Sequence, residues 1–288
     1  MSIEQALSLR HPPLALYYAK EIPAGAGSFK PLQPDQSGQG GWGCAMFLLA
    51  RAAKGGLVAF SRETCHCPGA AGGMGLGEDE EKQFPGGLEA FLHFLSSGNK
   101  HWETGRVCGQ KMLADGADRE MVEEYLEGEG FKKTPELVLD YLKNLPRIEA
   151  EGPVVVVRPL AGLEAGLTPK VIILLADAEQ LSALVVLANF ARPGLNNVQI
   201  PFGAGCQSIG LFPLFEATQA QPKAVVGLTD ISARLYLRKT LGRDLVSFAL
   251  PWGFYQEMEA GVSDSFLNRQ AWKKLKSVLT HESQLSPG

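Results

Sequence analysis

Residues 171–190 read VIILLADAEQLSALVVLANF, and their reading decides the class of fold. A membrane span needs about 20 consecutive apolar residues without charge. Here Asp177 and Glu179 break the run in two. The first half, 171–175, is a short continuous apolar run of the kind found in buried strands. The second half, 178–190, carries its apolar residues at helical spacing. A strand followed at once by a helix is the repeating unit of an α/β protein. Working outward, the same alternation recurs. Apolar runs at 154–157, 224–228 and 245–250 predict strands, and 198–201 leads into Phe202-Gly203-Ala204-Gly205-Cys206. Helix patterns follow at 207–217, 231–240, 252–260 and 268–281. This order predicts an α/β fold, with a mixed or mostly parallel sheet flanked by helices.

Towards the start of the chain, PLALYY at 13–18 predicts a strand with a proline entry. Residues 22–43 are rich in Gly, Pro, Ser and Gln and read as a long surface loop. The charged run EDEEK at 78–82 reads as solvated. From Pro85 to Pro146 the pattern turns helical: Leu88, Phe91, Leu92 and Leu95 share a face, and Thr134-Pro135-Glu136 is a cap, a first-turn proline and an acid. The chain is thus expected to be one α/β unit over 1–288, with 84–150 a mainly helical insertion.

The composition excludes some functions. A net charge of −4 and a pI near 5.8 give no electrostatic case for nucleic acid. Residues 1–13 lack a basic stretch followed by an apolar run, so no export signal and a cytoplasmic location are expected, with no membrane partner. Cysteines in that compartment are normally reduced, which points to metal or redox chemistry before structural disulfides.

Three of the five cysteines fall in 43–77, GCAMFLLARAAKGGLVAFSRETCHCPGAAGGMGLG. Cys44 opens a helix pattern, 45–54, which ends at Gly55-Gly56. A short strand, 57–60, follows, and Cys65 and Cys67 lie just past it, before a glycine-rich loop. Cys206 follows Gly203-Ala204-Gly205 and also stands at a predicted helix start. Helix N-termini carry partial positive charge and favour thiolate. Cys44, Cys65, Cys67 and Cys206 are therefore the candidate site, expected to meet at the strand ends. Each taken alone could equally be a small apolar core residue.

Four dispersed thiolates suit an iron–sulfur cluster, a 4Fe-4S centre being the first expectation, with zinc the alternative. A cluster has several metal corners, so two cysteines one residue apart can serve different irons; one zinc ion would force the backbone at His66 to fold back tightly. The Cys-x-x-Cys spacing of zinc ribbons and the ferredoxin and radical-enzyme runs are absent. His66 is a possible further ligand, and Cys108 reads as packed. Two other readings stand beside the metalloprotein: a small-ligand binding module with structural cysteines, and a thiol-redox enzyme using Cys65 and Cys67. A small molecule or redox protein is the partner that these readings imply. Trp42, Phe202 and Trp252 could wall a ligand pocket. No dinucleotide fingerprint, phosphate loop or nucleophile elbow occurs.

Several short motifs together resemble the uncharacterised ArCR family (domain of unknown function 169). They are Pro12-Pro13-Leu14-Ala15 before a strand, Cys44 with Ala50-Arg51 one helix on, and the Cys67 to Gly77 loop ending Met74-Gly75-Leu76-Gly77. The Gly205-Cys206 pair and Pro251 after an apolar strand add looser likeness. The resemblance implies a soluble prokaryotic protein, often from anaerobes. It brings no assigned activity, so the chemistry rests on the cysteines.

Overall fold

The computed structural model describes residues 1–28, 44–65, 67–77 and 84–285. The charged run 78–82, His66, Trp42 and most of the predicted loop 22–43 lie outside them.

Seven strands form one sheet: β1 (Leu14–Ala19), β2 (Val58–Ser61), β3 (Val154–Pro159), β4 (Val171–Ala176), β5 (Val198–Gln199), β6 (Ala224–Gly227) and β7 (Val246–Pro251). Their spatial order is β2-β3-β1-β4-β7-β6-β5. The sheet is mixed and mostly antiparallel, with β5 and β6 as its parallel pair. The pairings explain why. Strands β3, β4, β5 and β6 all point one way. But β1 slots between β3 and β4, and β7 between β4 and β6, both running the opposite way.

Side chains on a strand alternate between faces. On β4, Val171, Ile173 and Leu175 enter one core, and Ile172, Leu174 and Ala176 enter the other. All six are fully buried, which is why this strand reads as a continuous apolar run. Each large side chain buried this way contributes about 1.5–3 kcal/mol before chain entropy is charged against it.

The second face is covered by α1 (Ile3–Leu7), α8 (Ala178–Phe190), α11 (Trp252–Gly261) and α12 (Gln270–Leu285). Asp177 and Gln180 form a capping box at the start of α8, and the Gln180 amide donates to the carbonyls of Leu7 and Ser8, tying α1 down.

The first face carries α2 (Ala45–Ala53), α3 (Pro68–Gly73), a π-helical turn (Gln207–Leu211) continued by α9 (Phe212–Glu216), and α10 (Ile231–Leu241). Residues 68–73 are therefore a helix, where the glycines had suggested a loop. Pro68 sits in its first turn, where a missing N–H is harmless. Between β2 and β3 the described residues form four further helices: α4 (Gly87–Phe94), α5 (Glu103–Ala114), α6 (Arg119–Glu127) and α7 (Pro135–Lys143). Thr134 caps α7 by accepting from the Leu137 amide, as its sequence predicts.

Candidate functional site

Cys44, Cys65, Cys67 and Cys206 all belong to, or pack against, the core of the first face. Cys44 is the N-cap of α2, Cys67 is the N-cap of α3, and Cys206 leads into the π-helical turn. The helix-start argument nevertheless fails for Cys44. Burial pushes its thiol up to about 12, with a bond to the Met46 amide opposing and the charges of Cys67 and Asp230 pushing further. Desolvation here outweighs the helix end. Cys65 donates to the Cys67 carbonyl at 3.4 Å, and Cys206 to the Gly69 carbonyl at 3.0 Å.

Cys206 is also seated against glycine. A β-carbon on Gly73 would stand 3.0 Å from its sulfur, and one on Gly210 would stand 2.3 Å from the Gly73 carbonyl oxygen. Helix α3 and the π-helical turn can approach this closely because neither glycine has a side chain. Gly73, in the glycine-rich stretch 68–77, therefore serves helix packing. Cys108 lies apart, in α5 beside the Tyr125 hydroxyl. Among the described residues no group of three or more His, Cys, Asp and Glu side chains is set to hold a metal ion.

Next to the cysteines lies a cavity of about 1020 Å³ between the helical insertion and the first face. The insertion contributes Phe91, Phe94, Phe131 and Tyr141; the sheet side contributes Cys67, Phe202 and two glycines of α3, Gly69 and Gly72. Trp252 takes no part: it stacks on Tyr255 on the opposite face. Arg51 lies along the backbone of Gly27 and Gly56.

Three contacts hold the insertion across the cavity. The Tyr141 hydroxyl donates to Gln207 Oε1, which also accepts from the Ala204 amide at 2.8 Å. The Lys132 ammonium lies 4.6 Å from the centre of the Phe202 ring. Ser232 Oγ donates to Glu129 Oε1 at 3.1 Å.

Two carboxylates meet here. Glu129 is pushed up to about 7, chiefly by burial, with the Ser232 bond opposing and Asp230 and Glu124 adding repulsion. Asp230 is also raised by burial, against the amides of Ala233 and Gly205. Its Oδ1 accepts from the Ala233 amide at 2.6 Å, capping α10; its Oδ2 is turned to the Gly205 backbone without a well-formed hydrogen bond.

A family model described as Uncharacterised ArCR, the domain of unknown function 169, matches residues 2–261. The chain belongs to this family. No curated protein and no solved structure matches it. The span of the match takes in every element of this ArCR chain described above except helix α12.

Sequence reasoning missed the cavity and the groups that give this ArCR protein its polar corner. Glu129 had one signal, an acid set between glycines in Gly128-Glu129-Gly130 between two helix patterns. Asp230 had another, an Asp before a helix pattern in Thr229-Asp230-Ile231-Ser232. Neither signal says that the two residues meet, because the sequence separates them by four strands of the sheet and several helices.

Proposed function

We propose that this ArCR protein binds a small organic molecule in the cavity between its helical insertion and the first face of the sheet, with Cys67 on the cavity wall. The observation that carries this reading is the cavity itself. It is large, its walls are mainly apolar and aromatic, and a few polar groups converge on it, which are the general marks of a small-molecule site. The cysteines beside it then serve the packing of α2, α3 and the π-helical turn, with Cys67 the thiol nearest a bound molecule. The neutral apolar dye Nile red tests this. Saturable binding that Leu142→Trp or Leu145→Trp abolishes supports it; binding unaffected by both substitutions, in folded protein, removes it.

The cysteine-ligated metalloprotein remains a second reading, supported by the four cysteines sharing one core and by the Coulombic influence of Cys67 on Cys44. Thiolates are the right donors for a 4Fe-4S cluster, and for zinc as the alternative. Cys44, Cys65, Cys67 and Cys206 would hold it, after Cys65 and Cys206 turned away from the carbonyls that they now face. Iron, acid-labile sulfide and zinc analysis of protein purified without oxygen separates the two readings. Iron with sulfide supports the cluster, stoichiometric zinc supports the alternative metal, and metal-free folded protein leaves the cavity reading in front.

A further inference from the structure

Resting on the cavity reading, we infer that the cavity selects a molecule with a cationic nitrogen, received by Glu129 and Asp230 and flanked by an aromatic body. Three independent pieces of geometry converge on one corner of the cavity.

The first is the pairing of the carboxylates. Ser232 lies two residues beyond Asp230, and its hydroxyl holds Glu129 Oε1 at 3.1 Å. That bond brings an acid of the insertion up to an acid of the sheet side, and both line the cavity. The second is how little counter-charge faces them: Arg234, one turn on in α10, attracts Asp230, but its guanidinium is held by the carbonyls of Arg243 and Leu245. Among the described residues neither acid makes an ion pair, and Asp230 Oδ2 is buried without a well-formed hydrogen bond. Two part-buried carboxylates side by side repel and are poorly solvated unless a cation or a proton joins them. The third is the aromatic wall. The Glu129 amide donates to the Phe94 carbonyl at 2.7 Å, which fixes the acid beside the Phe84–Phe91–Phe94 cluster, whose ring centres are 5.2 Å apart in both pairs involving Phe84. Aromatic faces attract cations and accept apolar groups, so a carboxylate pair with a ring wall suits an aryl-alkyl amine.

The cavity is also lined by positive groups, Arg62, Lys132 and Arg147. The Lys132 ammonium already rests on Phe202 and Tyr141, and an anionic ligand that used it would have to draw it away from both rings.

Three probes of nearly the same shape distinguish these possibilities at pH 8: tryptamine, tryptophol and indole-3-propionate. Ligand-observed NMR on the full chain should show tryptamine binding about tenfold more tightly than neutral tryptophol, with the propionate weakest. In Glu129→Gln and Asp230→Asn, shown to be folded by circular dichroism, the tryptamine preference should fall to about threefold or less. Equal binding of all three probes overturns the inference and leaves the cavity reading standing, as does Nile red binding without any indole. Tightest binding by the propionate overturns it in favour of the cationic residues on the cavity wall. A tryptamine preference that persists in both variants overturns the assignment to these two acids. Failure of Nile red and all three indoles removes the cavity reading, and the inference with it.

Discussion

Cys206 and Gly73 interlock: the sulfur occupies the space in which a β-carbon on Gly73 would stand, 3.0 Å away, with the Cys206 backbone only 3.1 Å from the same point. Gly73→Ala should therefore destabilise the protein by about 1–3 kcal/mol, through overpacking. Adding Cys206→Ala should recover part of that loss, because the sulfur is then gone. Urea unfolding of the two single variants and the double variant measures the coupling. Strict additivity would show that the two residues do not share this space.

Glu129 gives the protein a pH dependence of definite sign. When folded, its carboxyl keeps its proton up to about 7; unfolded, it ionises near 4.5. Between those values the folded state binds more protons, so stability falls as pH rises. Asp230, also raised, acts in the same direction. Glu129→Gln should flatten this decline, by on the order of 2 kcal/mol after allowance for the part of the group that water still reaches. Urea midpoints at pH 5 and pH 7.5 measure it; a difference between wild type and variant that does not change with pH would remove Glu129 as the cause.

Thiol labelling should separate the cysteines. Cys44, pushed up to about 12, carries almost no thiolate at pH 8 and should resist iodoacetamide in the folded protein. Cys67, partly exposed on the cavity wall, should label faster than Cys65 and Cys206, which are buried. Mass spectrometry of a time course reads the order. Cys44 labelling as fast as Cys67 would contradict the burial argument. Slower labelling of Cys67 in the presence of tryptamine would place the probe beside it.

Cys108 offers a control for any metal. It lies in the helical insertion beside Tyr125, away from the four cysteines of the first-face core. Cys108→Ser should leave the metal content of anaerobically purified protein unchanged. Loss of metal on that substitution would mean that the four-cysteine set is incomplete.

The elements of this protein were legible in its sequence where burial imposes a period. Strand β4 and helix α8 are found as 171–190 predicts, because a strand buried on both faces and a helix with a strong cap leave unmistakable patterns. Neighbour relations were not legible. Strands β4, β5 and β6, joined by helices, do share one direction, but β7, joined to β6 by α10, runs against them, and nothing local says that it and β1 will insert between the others. Helix α3 was hidden because glycine lowers helix propensity; Pro68 after an extended Cys67 was the available signal. The four cysteines do reach one face, yet the cavity beside them is built by Phe91, Phe94 and Tyr141, whose helical spacing marks a core-facing stripe and does not show that the stripe opens onto a void.

The place of β1 in the sheet sets a timetable for the protein's birth. Leu14 is bonded between Pro159 on one side and Ile173 on the other. At about 5–20 residues per second, a ribosome delivers those partners roughly 150 residues later, on the order of ten seconds or more after β1 has emerged. In that interval one of the most apolar strands of the molecule has no mate. The helices of the insertion emerge during the wait, and their contacts are local, so they can form while the sheet cannot. The newborn chain is thus an early helical body trailing an unpaired strand, and it is at this stage, more than in the finished fold, that a chaperone would find something to hold.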